Sequence, residues 1–149
     1  MRADTVKFSI YNRPEFFKEL VKRVNHHFKV HNRSKHADAS MVFKSIFMCM
    51  LYFMPLVLIT TQIVTSVAGN TSMWALMGLG MSGIGLAVMH DANHGSYSSS
   101  KRTNHLIGLI INFVGGYHIN WRIQHNVLHH SFTNIHGLDD DIAKDHTFR

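Results

Sequence analysis

Residues 45–89 read SIFMCMLYFMPLVLITTQIVTSVAGNTSMWALMGLGMSGIGLAVM, a run of 45 positions without Lys, Arg, Asp, Glu or His. Ser45 to Ala68 supplies 24 of them, dominated by Ile, Phe, Met, Leu and Val. At a rise of about 1.5 Å per residue, that length crosses the roughly 30 Å hydrocarbon layer of a bilayer. Ser72 to Met89 supplies 18 more, enough for a second span. Only Gly69, Asn70 and Thr71 lie between, which predicts a tight turn and a helical hairpin. Pro55 is predicted to kink the first span without ending it. Gly78, Gly80, Gly83 and Gly85 suit close approach of the two helices. The fold class expected is therefore all-α and integral to a membrane. A buried hairpin in a soluble protein is the competing reading, and the length of the uncharged run speaks against it.

Outward from this run the composition changes sharply. The chain carries a net +6, and ten of its fifteen Lys and Arg residues lie at or before Lys44. Nine of its thirteen His residues lie at or after His90. Lys29, Arg33, Lys35 and Lys44 precede the first span, Lys101 and Arg102 follow the second, and the loop between has no cation. The positive-inside rule then places both ends of the hairpin on the cytoplasmic side, in an inner or cytoplasmic membrane. The lone cysteine, Cys49, excludes an internal disulfide framework and is expected to serve packing. Nothing in the pattern indicates a cleaved signal peptide or a nucleic-acid partner.

Arg13 to Val30 reads as an amphipathic helix, with Asn12 as its cap, Pro14 in its first turn, and Glu15 and Glu19 near its positive end. Phe17, Leu20, Val21, Val24 and Phe28 share one face. That face suits either the membrane surface or a cytoplasmic domain, and sequence does not choose between them. His26, His27, His31 and His36 are expected to be solvated. The organisation expected is a cytoplasmic amphipathic segment over residues 1–44, a transmembrane hairpin over 45–94, and a cytoplasmic or interfacial segment over 95–149.

Two clusters carry the chemistry. The second span runs into His90-Asp-Ala-Asn-His94, whose imidazoles share a helix face at four-residue spacing. Further on comes His125-Asn-Val-Leu-His129-His130-Ser-Phe-Thr-Asn134, which repeats that spacing and adds His130 on another side. Five imidazoles with no acidic neighbour would be costly to bury without a metal. Imidazole suits zinc, copper, nickel and iron. No Glu follows Glu19, which removes the Glu-x-x-His pattern of carboxylate-bridged bundles and the His-Glu-x-x-His base of zinc proteases. More than four His ligands also exceeds a tetrahedral zinc site. An all-His, multi-metal site at a membrane surface points instead to iron and oxygen chemistry. His90, His94, His125, His129 and His130 are the candidate ligands. His118 is a weaker one, and His105, His136 and His146 are weaker still.

His90-Asp-Ala-Asn-His94-Gly95-Ser96-Tyr97-Ser98 and His125-Asn-Val-Leu-His129-His130-Ser-Phe-Thr-Asn134 resemble the first and second histidine boxes of membrane fatty-acid desaturases. The similarity is to the bacterial acyl-CoA and acyl-lipid group that includes linoleoyl-CoA and front-end enzymes, and it extends through Gly137-Leu-Asp139-Asp-Asp141-Ile142. The resemblance implies oxygen-dependent introduction of a double bond into a fatty-acyl chain at a pair of iron ions. An external electron-transfer protein, of ferredoxin or cytochrome b5 type, would supply the electrons. It also implies a four-helix bundle of which this hairpin is half, and a third histidine box that this chain does not contain. Residues 1–149 are accordingly expected to be an N-terminal fragment, inactive alone.

Asp91, Asn93, Asn126 and the Asp139–Asp141 run are candidates for orienting the ligand rings. Trp121 and Phe132 are candidates for lining an acyl channel. Leu106 to Tyr117, apolar but too short to span, is expected to dip into the interface or wall that channel. A lipid or sterol hydroxylase of the same His-rich superfamily is the nearest alternative function. A membrane metal transporter or haem protein is a more distant one, because the spans contain no polar ligand.

Overall fold

The computed structural model describes residues 14–139 and 141, and every regular element among them is helical. Asn12, Arg13, Ile142 and His146, named above, lie outside the described residues. The chain divides into two compact units, one comprising His36–His118 and the other Met1–Lys35 with Ile119–Arg149.

In the first unit, α2 spans Ala39–Thr60 and α3 spans Val67–Gly83. A π-helical turn, Ile84–Val88, and α4, Met89–Asn93, continue α3 without a break. Both helices begin earlier than the hydropathy suggested, the first also ends earlier, and the second runs on to Asn93. Asp38 caps α2 by accepting from Met41 N–H at 2.8 Å, so the helix starts six residues before the apolar run. It ends where Gln62 adopts a left-handed φ of 57°, and Ser66 caps α3 by accepting from Gly69 N–H. The turn therefore lies at residues 61–66. Gly69, Asn70 and Thr71, expected to form it, stand in the first turns of α3 instead. Capping chemistry, to which a hydropathy count is blind, moved the boundary.

Pro55 lies inside α2 and is buried. Leu51 and Tyr52 face Gly80, while Met48 faces Gly83, so the register runs antiparallel. A Cβ on Gly80 would stand 2.7 Å from the Tyr52 backbone nitrogen, which is why glycine is required there. Gly78 and Gly85 meet nothing within 4 Å, so only two of the four glycines mediate helix contact. Met77, Gly80, Ile84, Val88 and Ala92 form the buried stripe, spaced at three and four residues as a helix face demands.

The rest of the hairpin is open. Only 11% of the α2 window and 28% of the window in Val67–Asn93 are buried, and Phe47, Met54, Trp74, Leu79 and Leu86 project outward. A core helix of a soluble protein would be covered. These two helices suit a bilayer, in which apolar side chains face lipid.

Beyond α4 the chain turns at Gly95, whose φ of +76° is the left-handed helix stop that glycine adopts without strain. Ser100 caps α5, Lys101–Gly108, and a 3-10 turn follows over Leu109–Phe113. Buried Asn104 secures the approach by accepting from Ser98 N–H at 2.8 Å and donating to Ser98 O at 2.7 Å. Tyr97 donates to Ser45 Oγ at 3.0 Å, tying this loop to α2. His36, expected to be merely solvated, bonds through Nδ1 to Ser96 O at 3.1 Å.

The second unit contains α1, Pro14–Val30, together with α6, His118–Trp121, which starts at the last residue of the first unit. A π-helical segment, Arg122–His129, and α7, His130–Phe132, follow. After α7, Leu138 and Asp139 are buried, and the backbone N–H of each donates to Ile135 O.

Candidate metal centre

His90 and His94 stand on the last turn of the long apolar helix. Their ring centroids are 4.5 Å apart and their planes cross at 71°. The residues beneath them, Val88, Met89 and Ala92, are buried, so the turn that carries the pair is held by apolar packing. His90 Nδ1 lies 3.3 Å from Asp91 Oδ1. Asn93 does different work: its amide donates to Gly108 O at 3.2 Å, joining α4 to α5.

His125, His129 and His130 are brought together in the second unit. His125 and His129 stack at 5.1 Å with planes only 18° apart. His130 stands edge-on, 5.0 Å from His125 and 5.3 Å from His129. The near-parallel stack follows from the π-helical winding. There His130 N–H reaches back five residues to His125 O, a pattern that is rare and often found at functional sites. Trp121 lies flat against His125 at 4.5 Å and 24°.

Carboxylates hold two of these rings. His129 Nδ1 donates to Asp139 Oδ1 at 2.9 Å, and His125 Nδ1 donates to Asp141 Oδ2 at 2.5 Å. The side chain of Asp139 has no exposed surface. Burial pushes its carboxyl up, but the His129 ring and the backbone N–H groups of Asn134 and Asp141 together outweigh that and hold it below the ordinary carboxylate range. Donation from Nδ1 fixes the tautomer, so Nε2 carries the lone pair that a metal needs. The premise of imidazoles without acidic neighbours is thus corrected: Asp91, Asp139 and Asp141, named above as candidates for orienting the rings, each bond to one. The acids behind the second cluster follow it in sequence by ten residues or more, where spacing rules do not reach. The donor set fits a divalent first-row metal such as iron: neutral imidazoles oriented by carboxylates that also offset its charge.

His118 is otherwise engaged. Its N–H donates to Asn112 Oδ1 at 2.9 Å, and its Nδ1 accepts from Asn112 Nδ2 at 3.2 Å, closing the turn that contains Gly115 and Gly116. Asn126 is half-buried on the π-helical segment.

An apolar groove of about 520 Å³ lies within the first unit. Ile46, Met50 and Phe53 of α2 form one wall, and Leu106, Ile110 and Phe113 another. Residues 106–113, part of the apolar segment too short to span, line this groove.

Fold and clusters together define the class: an all-helical membrane protein with one His-x-x-x-His pair closing a span and a His-x-x-x-His-His cluster beyond it. The chain belongs to the fatty acid desaturase family, whose profile matches residues 68–149. It is 32% identical over its full length to an sn-1 linoleoyl-lipid 6-desaturase of Arthrospira platensis, covering 40% of that protein. It is 30% identical over 93% of its length to an acyl-lipid (8-3)-desaturase of Physcomitrium patens, covering 28% of it. A second sn-1 linoleoyl-lipid 6-desaturase, from Synechocystis, is 29% identical over the whole chain, which covers 41% of that relative. The chain thus spans less than half the length of these relatives. No solved structure matches it significantly.

Proposed function

We propose that the whole protein introduces a double bond into a fatty-acyl chain in an oxygen-dependent reaction. His90, His94, His125, His129 and His130 would hold a pair of iron ions. The observation that carries this reading is the carboxylate-backed stack of His125 and His129, inside the segment that matches the family. When bound, the iron pair would activate dioxygen, the oxidant that takes up the two hydrogens and, with two electrons and two protons from outside, leaves as water.

The chain's own residues do the rest. Asp139 and Asp141 hold the rings of His129 and His125 in one tautomer and orientation. Trp121, lying on His125, limits rotation of that ring, and with Phe132 it forms the wall that the acyl chain meets beside the cluster. The groove between Ile46, Met50, Phe53 and Leu106, Ile110, Phe113 excludes water and receives the apolar tail. A lipid-linked acyl group is the substrate suggested by the relatives' names.

The basic flanks of the hairpin support a cytoplasmic location for both clusters, where a ferredoxin- or cytochrome b5-type donor would dock. The hairpin is taken as half of a four-helix bundle. Because the chain spans 40% of the Arthrospira relative, activity is proposed for the whole protein, and residues 1–149 alone are proposed to be inactive.

The test is to express the whole protein in a membrane host and analyse fed acyl lipids by mass spectrometry, with metal content measured on the purified protein. New double bonds, two iron ions per chain and loss of both in His129→Ala are the expected results. Hydroxylated product alone would transfer the protein to the hydroxylase reading, and zinc in place of iron would overturn both.

A further inference from the structure

The helix α1 has no buried residue, and no role in the proposed reaction draws on it. Its apolar side chains are far from covered: Phe17 is 67% exposed and Val24 44%. Most helical stability in proteins comes from packing of an apolar face, so this 17-residue helix with its apolar face open calls for something to cover it.

The placement of charge around the helix says what covers it. At about 100° per residue, Phe17, Leu20, Val21, Val24 and Phe28 fall on one stripe. Lys18 and Lys29 fall along one flank of that stripe, Phe16 and Arg23 along the other, and Lys22 falls nearer the back. Glu15, Glu19 and His26 fall opposite it. Glu19 sits 2.9 Å from Arg23 and 3.9 Å from Lys22, keeping both acids' side of the helix polar. Cations beside an apolar stripe, with acids at the back, suit a lipid leaflet. The stems of Lys and Arg run along the acyl boundary while their heads reach phosphate groups.

Continuity supports the same occupant. Only eight residues, 31–38, join α1 to the first membrane span, and they include Arg33 and Lys35. A linker of eight residues reaches at most about 29 Å, which keeps α1 within reach of the membrane surface.

We propose that α1 lies in the membrane interface, with Phe17, Leu20, Val21, Val24 and Phe28 entering the acyl boundary of a leaflet that carries anionic headgroups. Nitroxide labels on the chain in lipid nanodiscs test this. The native thiol is first removed by Cys49→Ala, and a label is then placed at Phe17→Cys or His26→Cys. In discs containing phosphatidylglycerol, the label at position 17 is expected to be accessible to oxygen and shielded from a water-soluble nickel chelate. The label at position 26 should show the reverse, with an oxygen-to-nickel ratio several-fold lower. A label at position 17 shielded from both reagents would mean that protein covers the face, and one open to nickel would mean that water does. Either result overturns the proposal. Replacing phosphatidylglycerol with phosphatidylcholine should lower the ratio at position 17, and an unchanged ratio would reject the assignment to anionic lipid.

Discussion

His90 and His94 close a helical stretch of 27 residues, whereas His125, His129 and His130 sit on a short π-helical segment and the turn after it. The first pair is positioned from below, by an apolar stripe packed against a neighbouring helix. In the second trio, carboxylates hold His125 and His129 from the side, and Trp121 lies flat on His125. One cluster thus depends mainly on helix packing beneath its rings, with Asp91 3.3 Å from His90, and the other on shorter carboxylate bonds to His125 and His129. Damage to the two should look different: loss of the folded hairpin in one case, loss of metal affinity with the fold retained in the other.

The largest effect is expected from Gly80→Val. Its Cβ would meet backbone atoms of Leu51 and Tyr52 at 2.7–2.9 Å, and backbone cannot yield as a side chain can. The hairpin should fail to pack, seen as loss of monodisperse protein in detergent chromatography. Gly78→Val, where nothing lies within 4 Å, should behave as the unmodified chain. Equal behaviour of the two variants would end the claim that close helix approach supports the first cluster.

Next in size is Asp139→Ala, which strips the His129 ring and two backbone N–H groups of their acceptor. Residues that orient metal-bound histidines are typically worth about 10–100-fold in affinity. Iron affinity of the whole protein should fall by that order while the helical circular dichroism is kept. Collapse of the helical signal instead would show that Asp139 serves folding rather than the rings.

The smallest effect is expected from Tyr97→Phe, which removes one buried hydroxyl donor to Ser45. Ser45 keeps its own bond to Met41 O at 2.8 Å. A loss of about 0.5–1.5 kcal/mol is expected, read as a small drop in melting temperature with iron content unchanged. A large loss of iron in this variant would blur the distinction between packing and ring support.

Much of this was readable in the chain itself. The 45-residue uncharged run determined that the core element is a pair of membrane-capable helices, because no soluble core demands such a length of apolar surface. The four-residue spacings determined which imidazoles group within each cluster, because helical geometry is local. The helix boundaries were not readable from hydropathy: Asp38 and Ser66 set them through single capping bonds whose strength a hydropathy window does not register. Nor did the four glycines distinguish themselves, since only the opposing backbone separates Gly80 from Gly78. The pairing of Asp139 with His129 and of Asp141 with His125 was likewise a tertiary decision. It depends on a turn at Asn134 and Gly137, both at positive φ, that brings the chain back on itself. Local periodicity determined which imidazoles stand together, and long-range hydrogen bonding decided which way the rings of His125 and His129 face.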